Sequence, residues 1–277
     1  KKFFLYLFFL ISKFIFFNIY LKKTIEDITS KNNYEFSHND ELFFRRIYAD
    51  GIDKYKERLK SISFVNNEDV LDAGCGYGQW SLALADLNKN VIACDIAKNR
   101  LNFLDDLISN LSINNLFLKQ SGIDNLPFVD NSFDIVFCYQ VLQLTPWRKS
   151  ISELFRVLKP GGKIYLTTND IGWYVNLWRE PYNQADDYDP KEVAAKSFLD
   201  TLNYERNKKI NSKMNLIIEK SEIIMEMKKL GFINIEASDE GNLKSKSYKK
   251  NPLPFFKKKF QELPTVYEVL GEKNYTK

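Results

Sequence analysis

The residues of this chain that are best suited to bind a ligand lie between Val70 and Gly78, where an apolar run enters a turn with glycine at every second position. Glycine lets a backbone turn sharply against a ligand, because it has no side chain to cover the N–H groups. Open parallel sheets bind nucleotides at the carboxyl ends of their strands, where this turn is expected. Asp72, just before the turn, adds a carboxylate that can accept a hydrogen bond from a cationic amine. The predicted cofactor contacts here are Asp72, Gly74, Cys75, Gly76 and Gly78.

Two known patterns compete for this stretch. The dinucleotide fingerprint has glycine at its first, third and sixth places, so that a pyrophosphate lies at a helix N-terminus. Here the sixth place is Gln79, and Gly78 comes one residue early. The sequence from Val70 to Gly78 instead resembles motif I of the class I methyltransferases that depend on S-adenosyl-L-methionine (SAM). A structural tight turn without a ligand is the remaining explanation.

The resemblance implies an α/β fold with three layers, Rossmann-like, around a seven-stranded and mostly parallel sheet whose last strand is antiparallel. It also implies SAM as the cofactor. An acidic residue, Asp95, follows the apolar run Val91–Cys94 and can accept hydrogen bonds from the two ribose hydroxyls of a nucleoside. An N-cap for a helix over Ala97–Ile108 is the structural alternative. We predict that Asp95 and Ile96 contact the nucleoside.

Two later segments extend the resemblance over about Glu68 to Thr168. Ser121–Phe128 is similar to the family's acid-rich segment, and Arg156–Gly162 is similar to the segment that follows its motif III. Gly122 stands where the family usually has the acid that bonds the adenine amino group. Asp124 or backbone groups must therefore replace that acid. The resemblance places three residues at the adenine: Gly122, Ile123 and Asp124.

Ser132–Cys138 is β-branched and aromatic enough for a central strand covered on both faces. The resemblance implies that Tyr139 and Gln140, which follow it, face the sulfonium and the methyl acceptor. An aromatic face can stabilise positive charge by about 0.5–2 kcal/mol; core packing of Tyr139 is the alternative. The Asp/Asn-Pro-Pro-Tyr type of motif used for planar amines is absent, which favours oxygen or carbon acceptors. No catalytic residue is assigned.

The segment between residues 169 and 215 is rich in aromatic and acidic residues and is predicted to be an insertion that recognises the acceptor. Loops after strand ends carry specificity, because the scaffold is occupied with holding the cofactor. The candidate substrate contacts are Trp173, Tyr174 and Trp178. Packing of these aromatic residues onto the sheet is the alternative.

Apolar residues at helical spacing predict a helix over Glu41–Ile62, with one buried face formed by Phe44, Tyr48, Ile52, Tyr55 and Leu59. In the resembled family a helix at this place covers the cofactor, so Tyr48 is a candidate lid contact or a core residue. We accordingly divide the chain into a hydrophobic segment (1–23), a linker and lid helix (24–67) and a methyltransferase domain (68–277) with the insertion 169–215. Phe232–Ala237 and Thr265–Leu270 are predicted to be its closing strands.

Composition limits the class of protein, its possible partners and the role of its cysteines. With 277 residues, 44% of them apolar and 27% charged, the chain is typical of a globular protein with one large core. The net charge of +4 is too small to indicate a nucleic-acid partner. Cys75, Cys94 and Cys138 are too scattered for a metal site or a disulfide framework, so we interpret them as core residues. His38 is interpreted as a solvated loop residue.

The segment Phe3–Leu21 is almost continuously apolar and predicts a membrane anchor with the domain on the cytoplasmic side, where SAM is made. Its 19 residues would span about 28 Å as a helix, close to the roughly 30 Å hydrocarbon core. A cleaved signal peptide is disfavoured because no small-residue cleavage site follows. Interfacial binding and a misplaced translation start are the alternatives. The lysine-rich stretch 244–260 is either a solvated loop or a surface for anionic head groups.

The sequence thus predicts methyl transfer from SAM to a small-molecule or lipid-linked acceptor, at oxygen or carbon more readily than at a planar nitrogen. One alternative is a SAM-binding regulator without activity. The other is a nicotinamide-dependent oxidoreductase, which Gln79 and Asp72 disfavour.

Overall fold

The computed structural model describes residues 17–30, 34, 36–181, 188–207, 213–251, 254–256 and 259–275. Its strands are β1 (Asp69–Ala73), β2 (Asn90–Asp95), β3 (Leu116–Gln120), β4 (Phe133–Tyr139), β5 (Leu158–Asn169), β6 (Phe232–Asp239), β7 (Lys259–Phe260), β8 (Leu263–Pro264) and β9 (Val266–Lys273). Its helices are α1 (17–30), α2 (His38–Tyr48), α3 (Asp53–Ser61), α4 (Gln79–Leu87), α5 (Lys98–Leu111), α6 (Trp147–Val157), α7 (Ile171–Arg179), α8 (Pro190–Glu205) and α9 (Lys220–Leu230), with a 3₁₀ turn at Leu142–Leu144.

Seven strands form one sheet in the order β3-β2-β1-β4-β5-β9-β6. Strands β3, β2, β1, β4 and β5 are parallel to one another, and β9 is antiparallel to both β5 and β6. This arrangement confirms the predicted mostly parallel sheet with an antiparallel last strand. The chain order of the strands reverses between β1 and β4, and open α/β sheets bind ligands at such a point, beyond the carboxyl ends of the strands.

Both faces of the sheet are covered, which explains why its central strands are so apolar. Ile135 and Phe137 pack on the side of α1 to α5, whereas Val136 and Cys138 pack on the side of α6 and α9. Side chains alternate along a strand, so β4 contributes to both cores at once. The result is the predicted three-layer α/β architecture.

The helix predicted over Glu41–Ile62 is two helices, α2 and α3. Gly51 lies between them with φ +71°, and a Cβ at this position would collide with the side chain of Asn18 on α1. All five apolar residues of the predicted face are nevertheless buried. The break lies at this left-handed glycine, whose N–H donates to the Tyr48 carbonyl at 3.1 Å and which ends α2 in the manner of a glycine helix stop.

The segment predicted to be an insertion contains α7 and α8. Gly172 on α7 packs so closely on the backbone carbonyls of Leu263 and Pro264 that no Cβ fits between them. These two residues form β8 of a short hairpin with β7, which the sequence analysis did not predict. The hairpin thereby holds α7 beside the carboxyl end of β5.

The predicted membrane anchor, residues 3–21, lies mostly outside the described residues, which begin at 17. Residues 17–21 belong to α1, which packs on the domain through Leu21, Ile25 and Ile28. The amide of Asn18 also donates a hydrogen bond of 2.5 Å to Asp53 Oδ2. In the described ranges, every helix is too short or too polar to cross a bilayer.

A buried polar network ties the N-terminal helices to the antiparallel end of the sheet. Arg58 on α3 forms an ion pair with Glu268 on β9, and both side chains are almost completely buried. The hydroxyl of Tyr165 donates to the same carboxylate at 2.7 Å. Removing one partner of such a pair typically costs about 3–5 kcal/mol, because the other charge is left buried and unpaired.

Candidate functional site

A cavity of about 1200 Å³ lies at the carboxyl ends of β1, β2 and β4. The glycine turn forms its floor, α2 and α7 form two of its walls, and Phe255 and Phe256 close a third side. Of the twelve predicted cofactor contacts, all except Gly78 line this cavity. The site therefore brings together residues from four separate parts of the sequence.

The three glycines of the turn have different roles. The N–H groups of Gly74 and Cys75 both donate to the Cys94 carbonyl at 2.8 Å, which fastens the turn to β2. A Cβ on Gly74 would collide with Val141, and one on Gly78 would collide with Leu104. A Cβ on Gly76, at φ +57°, would meet nothing within 4 Å. Gly76 alone therefore leaves bare backbone facing open space in the cavity.

Asp95 lies at the end of β2 and lines the cavity while remaining only 7% exposed. Its Oδ2 accepts from the N–H of Gly76 at 2.9 Å, and its Oδ1 accepts from the N–H of Ala97 at 2.8 Å. The second contact serves the start of α5, as the structural alternative expected, although the N-cap residue itself is Ala97. Each carboxylate oxygen has a further lone pair, so both remain able to accept from hydroxyl groups.

Asp72 is buried at the end of β1 and also lines the cavity. Burial raises the pKa of its carboxyl to about 7, the hydrogen bond from Ser81 opposes this rise, and the charge of Asp95 adds to it. No lysine or arginine of the described ranges forms an ion pair with Asp72. A ligand with a cationic amine would therefore be the first positive partner of this carboxylate.

The predicted adenine contacts form one end of the cavity. Ile96 is 74% exposed there, so its apolar side chain is accessible to a flat ring. Gly122, Ile123 and Asp124 follow β3 and line the same end. Asp124 Oδ2 pairs with Lys149 at 3.2 Å, which occupies one of the oxygens expected to replace the missing family acid.

The end of β4 has an unusual backbone. Gln140 has φ +60°, a left-handed conformation that costs a non-glycine residue about 1–2 kcal/mol. Its N–H donates to Thr167 Oγ1 at 3.0 Å, which helps to hold this conformation. Such outliers cluster at functional sites because the surrounding structure enforces them. Gln140 and Tyr139 both line the cavity.

The ring of Tyr139 belongs to an aromatic wall. Its centroid lies 4.7 Å from that of Trp80 and 6.4 Å from that of Phe256. Its hydroxyl donates a hydrogen bond to Glu240 Oε1 at 3.2 Å. The other carboxylate oxygen of Glu240 accepts from the N–H of Phe255 at 2.8 Å. Glu240 is 1% exposed, and burial raises its pKa. This carboxyl therefore fixes two parts of the aromatic wall relative to each other.

Six aromatic side chains of the cavity lining form one connected cluster of rings: Tyr55, Trp80, Tyr139, Trp173, Phe255 and Phe256. The sequence analysis selected only Tyr139 and Trp173 among them as site residues. Tyr55 was assigned to a helix face, and Phe255 and Phe256 were noted only as aromatic residues among lysines. Trp80 had no distinguishing signal beyond its place directly after the glycine turn.

The three predicted substrate contacts occupy different surroundings. Trp173 lines the cavity, with its ring 5.4 Å from that of Phe256. Tyr174 lies outside the cavity lining, fully buried, and its hydroxyl donates to Asn215 Oδ1 at 2.9 Å. Trp178 is 51% exposed and also outside the lining, with the Lys191 ammonium 5.8 Å from its ring. Only Trp173 is thus placed to touch a molecule in the cavity.

The N-terminal helices cover the glycine turn. Asn39, Asp40, Phe43, Arg46 and Ile47, all on α2, line the cavity. Tyr48 is buried behind them, and its hydroxyl donates to the carbonyl of Tyr77 at 2.6 Å. Tyr48 is therefore a core residue that fastens α2 to the turn. His38, at the start of α2, is exposed.

Metal and thiol chemistry find no support in the described ranges. No group of three or more His, Cys, Asp or Glu side chains there could hold a metal ion. Cys75, Cys94 and Cys138 are all buried and unpaired with one another, and burial raises the pKa of each thiol. A thiol with a raised pKa is rarely ionised and hence a weak nucleophile.

The residues of the cavity fit a nucleoside that carries an amino acid. Asp95 offers acceptors for hydroxyl groups, Asp72 offers a carboxylate for an amine, and Gly76 leaves space for close approach. The aromatic wall then provides an apolar chamber beside this polar cradle. A ligand of that composition would occupy one end of the cavity and leave the other end for a second molecule.

Comparison with known proteins agrees with this geometry. Residues 71–166 match the family described as "Methyltransferase domain". A demethylmenaquinone methyltransferase of Oceanobacillus iheyensis is 34% identical over 113 residues, which cover 39% of this chain and 48% of that protein. The match therefore spans about half the length of that relative.

Two further proteins resemble this chain in sequence or fold. The uncharacterized methyltransferase YcgJ of Bacillus subtilis is 27% identical over 174 residues, which cover 62% of this chain and 61% of that protein. The solved structure of YcgJ has a TM-score of 0.51 at 19% identity and covers 80% of this chain and 98% of its own. A geranyl diphosphate methyltransferase has a TM-score of 0.57 at 13% identity, covering 82% of this chain and 78% of its own. At these identities the structural likeness establishes the fold.

Proposed function

We propose that this chain, whose residues 71–166 match a methyltransferase domain, uses SAM to methylate a small apolar molecule at carbon or oxygen. The observation that carries this proposal is the shape of the cavity. One end joins Asp72, Gly76 and Asp95 into a polar cradle, and the other end is aromatic. The two ends meet at Tyr139, at the carboxyl end of β4.

Asp72, Gly76 and Asp95 would bind and orient SAM: Asp95 would accept from the ribose hydroxyls, Asp72 would pair with the cationic amine of the methionine part, and the bare backbone of Gly76 would admit close approach. SAM held there would supply an electrophilic methyl group on a positive sulfur, which keeps the bonding electron pair when the methyl carbon bonds to the acceptor carbon or oxygen. The proton that the acceptor gives up would pass to solvent when the product leaves the cavity.

The rest of the cavity aligns the acceptor and excludes water. Alignment of two reactants can contribute about 7–11 kcal/mol to lowering a barrier. Trp173, Phe255 and Phe256 are suited to this role, because large rigid rings restrict both the acceptor and the entry of water. The face of Tyr139 beside the cradle would also favour the positive sulfur over its neutral product state.

The acceptor that we propose is small and largely apolar. The aromatic wall supports it, and so does the name of the Oceanobacillus iheyensis relative, which specifies a quinone as the molecule methylated by that protein. Residues 139–142 stand where planar amines are usually bound by a different motif, which supports carbon or oxygen as the methylated atom. A lipid-linked quinone-type ring would satisfy both arguments.

Incubation with methyl-labelled SAM and a cell extract tests the proposal. We expect label in the fraction that partitions into organic solvent, and none when Gly76→Val replaces the wild-type chain. Label in protein or nucleic acid instead would contradict the small-molecule acceptor. Normal SAM binding by calorimetry without transfer to any fraction would favour the regulator without activity.

We also propose that the apolar segment Phe3–Leu21 contacts a membrane surface. At its carboxyl end Leu21 is buried on the domain as part of α1, whereas Ile19 and Tyr20 on the same helix are more than half exposed. Fractionation of cells that express the full chain or a chain beginning at residue 17 tests this. Equal distribution of the two proteins would contradict membrane contact.

A further inference from the structure

One face of α7 borders the acceptor end of the cavity. Trp173, Asn176 and Glu180 follow each other at spacings of three and four residues, which places them along one side of a helix. All three line the cavity, Glu180 directly after the last helical residue. Tyr174 and Leu177 lie on an adjoining side of the helix and are buried in the domain, where Trp173 packs against their cluster. The helix is thus firmly oriented, with Asn176 at the middle of its cavity face.

The side chain of Asn176 is buried without a complete set of partners. It is 6% exposed, and its Oδ1 has no hydrogen-bond partner among the described residues. The great majority of buried polar side-chain atoms are paired, and leaving one unpaired costs about 1–3 kcal/mol. Asn176 lines the cavity, and a rotation of its amide about χ2 would turn this unpaired oxygen towards a ligand that donates a hydrogen bond.

The surroundings of Asn176 define the rest of that ligand. Trp173, on the same helix face, lies edge-on to Phe256, and the Phe256 ring is stacked at 25° to that of Tyr139. These rings connect α7 to the end of β4, where the polar cradle begins. A molecule that fills this space has to be apolar and flat along the rings and has to offer a hydrogen-bond donor at Asn176.

We propose that Asn176 is the specificity-determining residue for the acceptor, and that it accepts a hydrogen bond from a hydroxyl group on an aromatic ring. The inference rests on the proposed function and names its substrate class as hydroxyarenes. A ring hydroxyl also enriches the ring carbons and its own oxygen in electron density. The group that Asn176 selects is therefore one that prepares the acceptor to attack an electrophilic methyl group.

Two probes of nearly equal size separate the hydrogen bond from the apolar contacts. 1-Naphthol carries a hydroxyl donor, whereas 1-methoxynaphthalene carries an oxygen without a donor. Both are titrated into the full chain saturated with S-adenosylhomocysteine, and binding is measured by calorimetry. We expect 1-naphthol to bind at least tenfold more tightly to the wild-type chain. Equal affinity of the two probes, or no binding of either, would overturn the proposal without any variant.

The variants then test whether the preference for 1-naphthol over 1-methoxynaphthalene comes from the Asn176 side chain. Asn176→Leu should reduce the affinity for 1-naphthol about tenfold and leave that for 1-methoxynaphthalene nearly unchanged. Asn176→Asp keeps an acceptor oxygen and should keep the preference for 1-naphthol. Trp178→Ala, a change on the same helix but outside the cavity, should alter neither affinity. Unchanged discrimination in Asn176→Leu that still binds S-adenosylhomocysteine would exclude Asn176 as its source.

This binding experiment is independent of turnover. Retained discrimination together with no transfer of labelled methyl to any fraction would leave the role of Asn176 intact and contradict the proposed function. Transfer of label to a hydroxyarene by wild type and Asn176→Leu at the same kcat/KM would contradict the role of Asn176 and leave methyl transfer intact.

Discussion

The hydroxyl of Ser81, in the first turn of α4, donates a hydrogen bond of 2.6 Å to Oδ2 of Asp72 at the end of β1. Burial raises the pKa of the Asp72 carboxyl to about 7 in spite of this bond. At neutral pH the ligand-free protein therefore contains a carboxyl that is only partly ionised and borders the cavity. A ligand with a positive amine would favour the ionised form and lower this pKa.

The first prediction is that SAM affinity depends on pH through Asp72. Because the cation binds the ionised carboxylate, binding releases a proton, and affinity should rise about tenfold between pH 6 and pH 8 and then level off. Calorimetry in buffers with different heats of ionisation measures both the affinity and the proton release. Asp72→Asn should bind SAM more weakly and with no such pH dependence. The same pH dependence in that variant would assign the titration to another group.

The second prediction concerns the stability of the ligand-free protein, where the sign is opposite. The pKa of Asp72 in the folded state lies above its unfolded value of about 3.9, so its contribution to stability is full below that value and is lost as the pH rises through 7. Asp72→Asn should then be more stable than wild type at pH 8, by on the order of 2–4 kcal/mol. Urea unfolding at pH 5 and pH 8 measures the difference, which should shrink at pH 5. A variant less stable than wild type at pH 8 would contradict the prediction.

The third prediction is that Asp95 bonds the ribose of SAM. Asp95→Ala should weaken SAM binding by about 1.5–3 kcal/mol, the range for hydrogen bonds to a charged group, which corresponds to roughly 10- to 150-fold. Asp95→Asn is the matched control, because it keeps one acceptor oxygen and should lose less. Circular dichroism checks the fold, since Asp95 also accepts from the N–H groups of Gly76 and Ala97. Unchanged affinity in a folded Asp95→Ala protein would remove this residue from the site.

The fourth prediction separates two glycines of one turn. A Cβ at Gly76 meets open space, so Gly76→Val should fold and fail to bind SAM, because its side chain occupies the cavity. A Cβ at Gly74 collides with Val141, so Gly74→Ala should instead lower the thermal midpoint of unfolding. Both positions have positive φ, so each variant carries backbone strain of at least about 1–2 kcal/mol, and the β-branched valine carries more than the alanine. Normal SAM binding by a folded Gly76→Val protein would show that the turn is only structural.

The sheet, and the gathering of the glycine turn and Asp95 at one cavity, could be predicted from the sequence because their determinants are local. The run from Val70 to Gly78 contains its own strand, turn and helix start, and Asp95 directly ends the next strand. Parallel strands bring such carboxyl ends to one edge, so no knowledge of side-chain packing is needed to assemble them. Gly78 is the exception, since only the structure shows that its Cβ side faces Leu104 and not the cavity.

The aromatic end of the cavity could not be predicted in the same way, because its residues come from distant segments and depend on how helices dock. Tyr55 follows the helix break at Gly51, and Phe255 is held by a hydrogen bond to Glu240. Within α7, the sequence alone does not say which side meets the sheet. Neighbouring aromatic residues consequently have different surroundings: of the three predicted substrate contacts, Trp173 lines the cavity, whereas Tyr174 and Trp178 do not.

The last prediction uses two tryptophans of α7 as a matched pair. Trp173 lines the cavity beside Phe256, whereas Trp178 is half exposed outside it. Trp173→Ala should reduce kcat/KM for the labelled acceptor by roughly tenfold or more, because alignment in the aromatic wall is lost, while SAM affinity stays within about twofold of wild type. Trp178→Ala should leave both quantities unchanged. The measurement of kcat/KM uses the acceptor fraction that labelled SAM identifies, and calorimetry measures the SAM affinity. A parallel loss of SAM binding in Trp173→Ala would mean that this residue supports the cofactor cradle or the fold, and that the acceptor is recognised elsewhere.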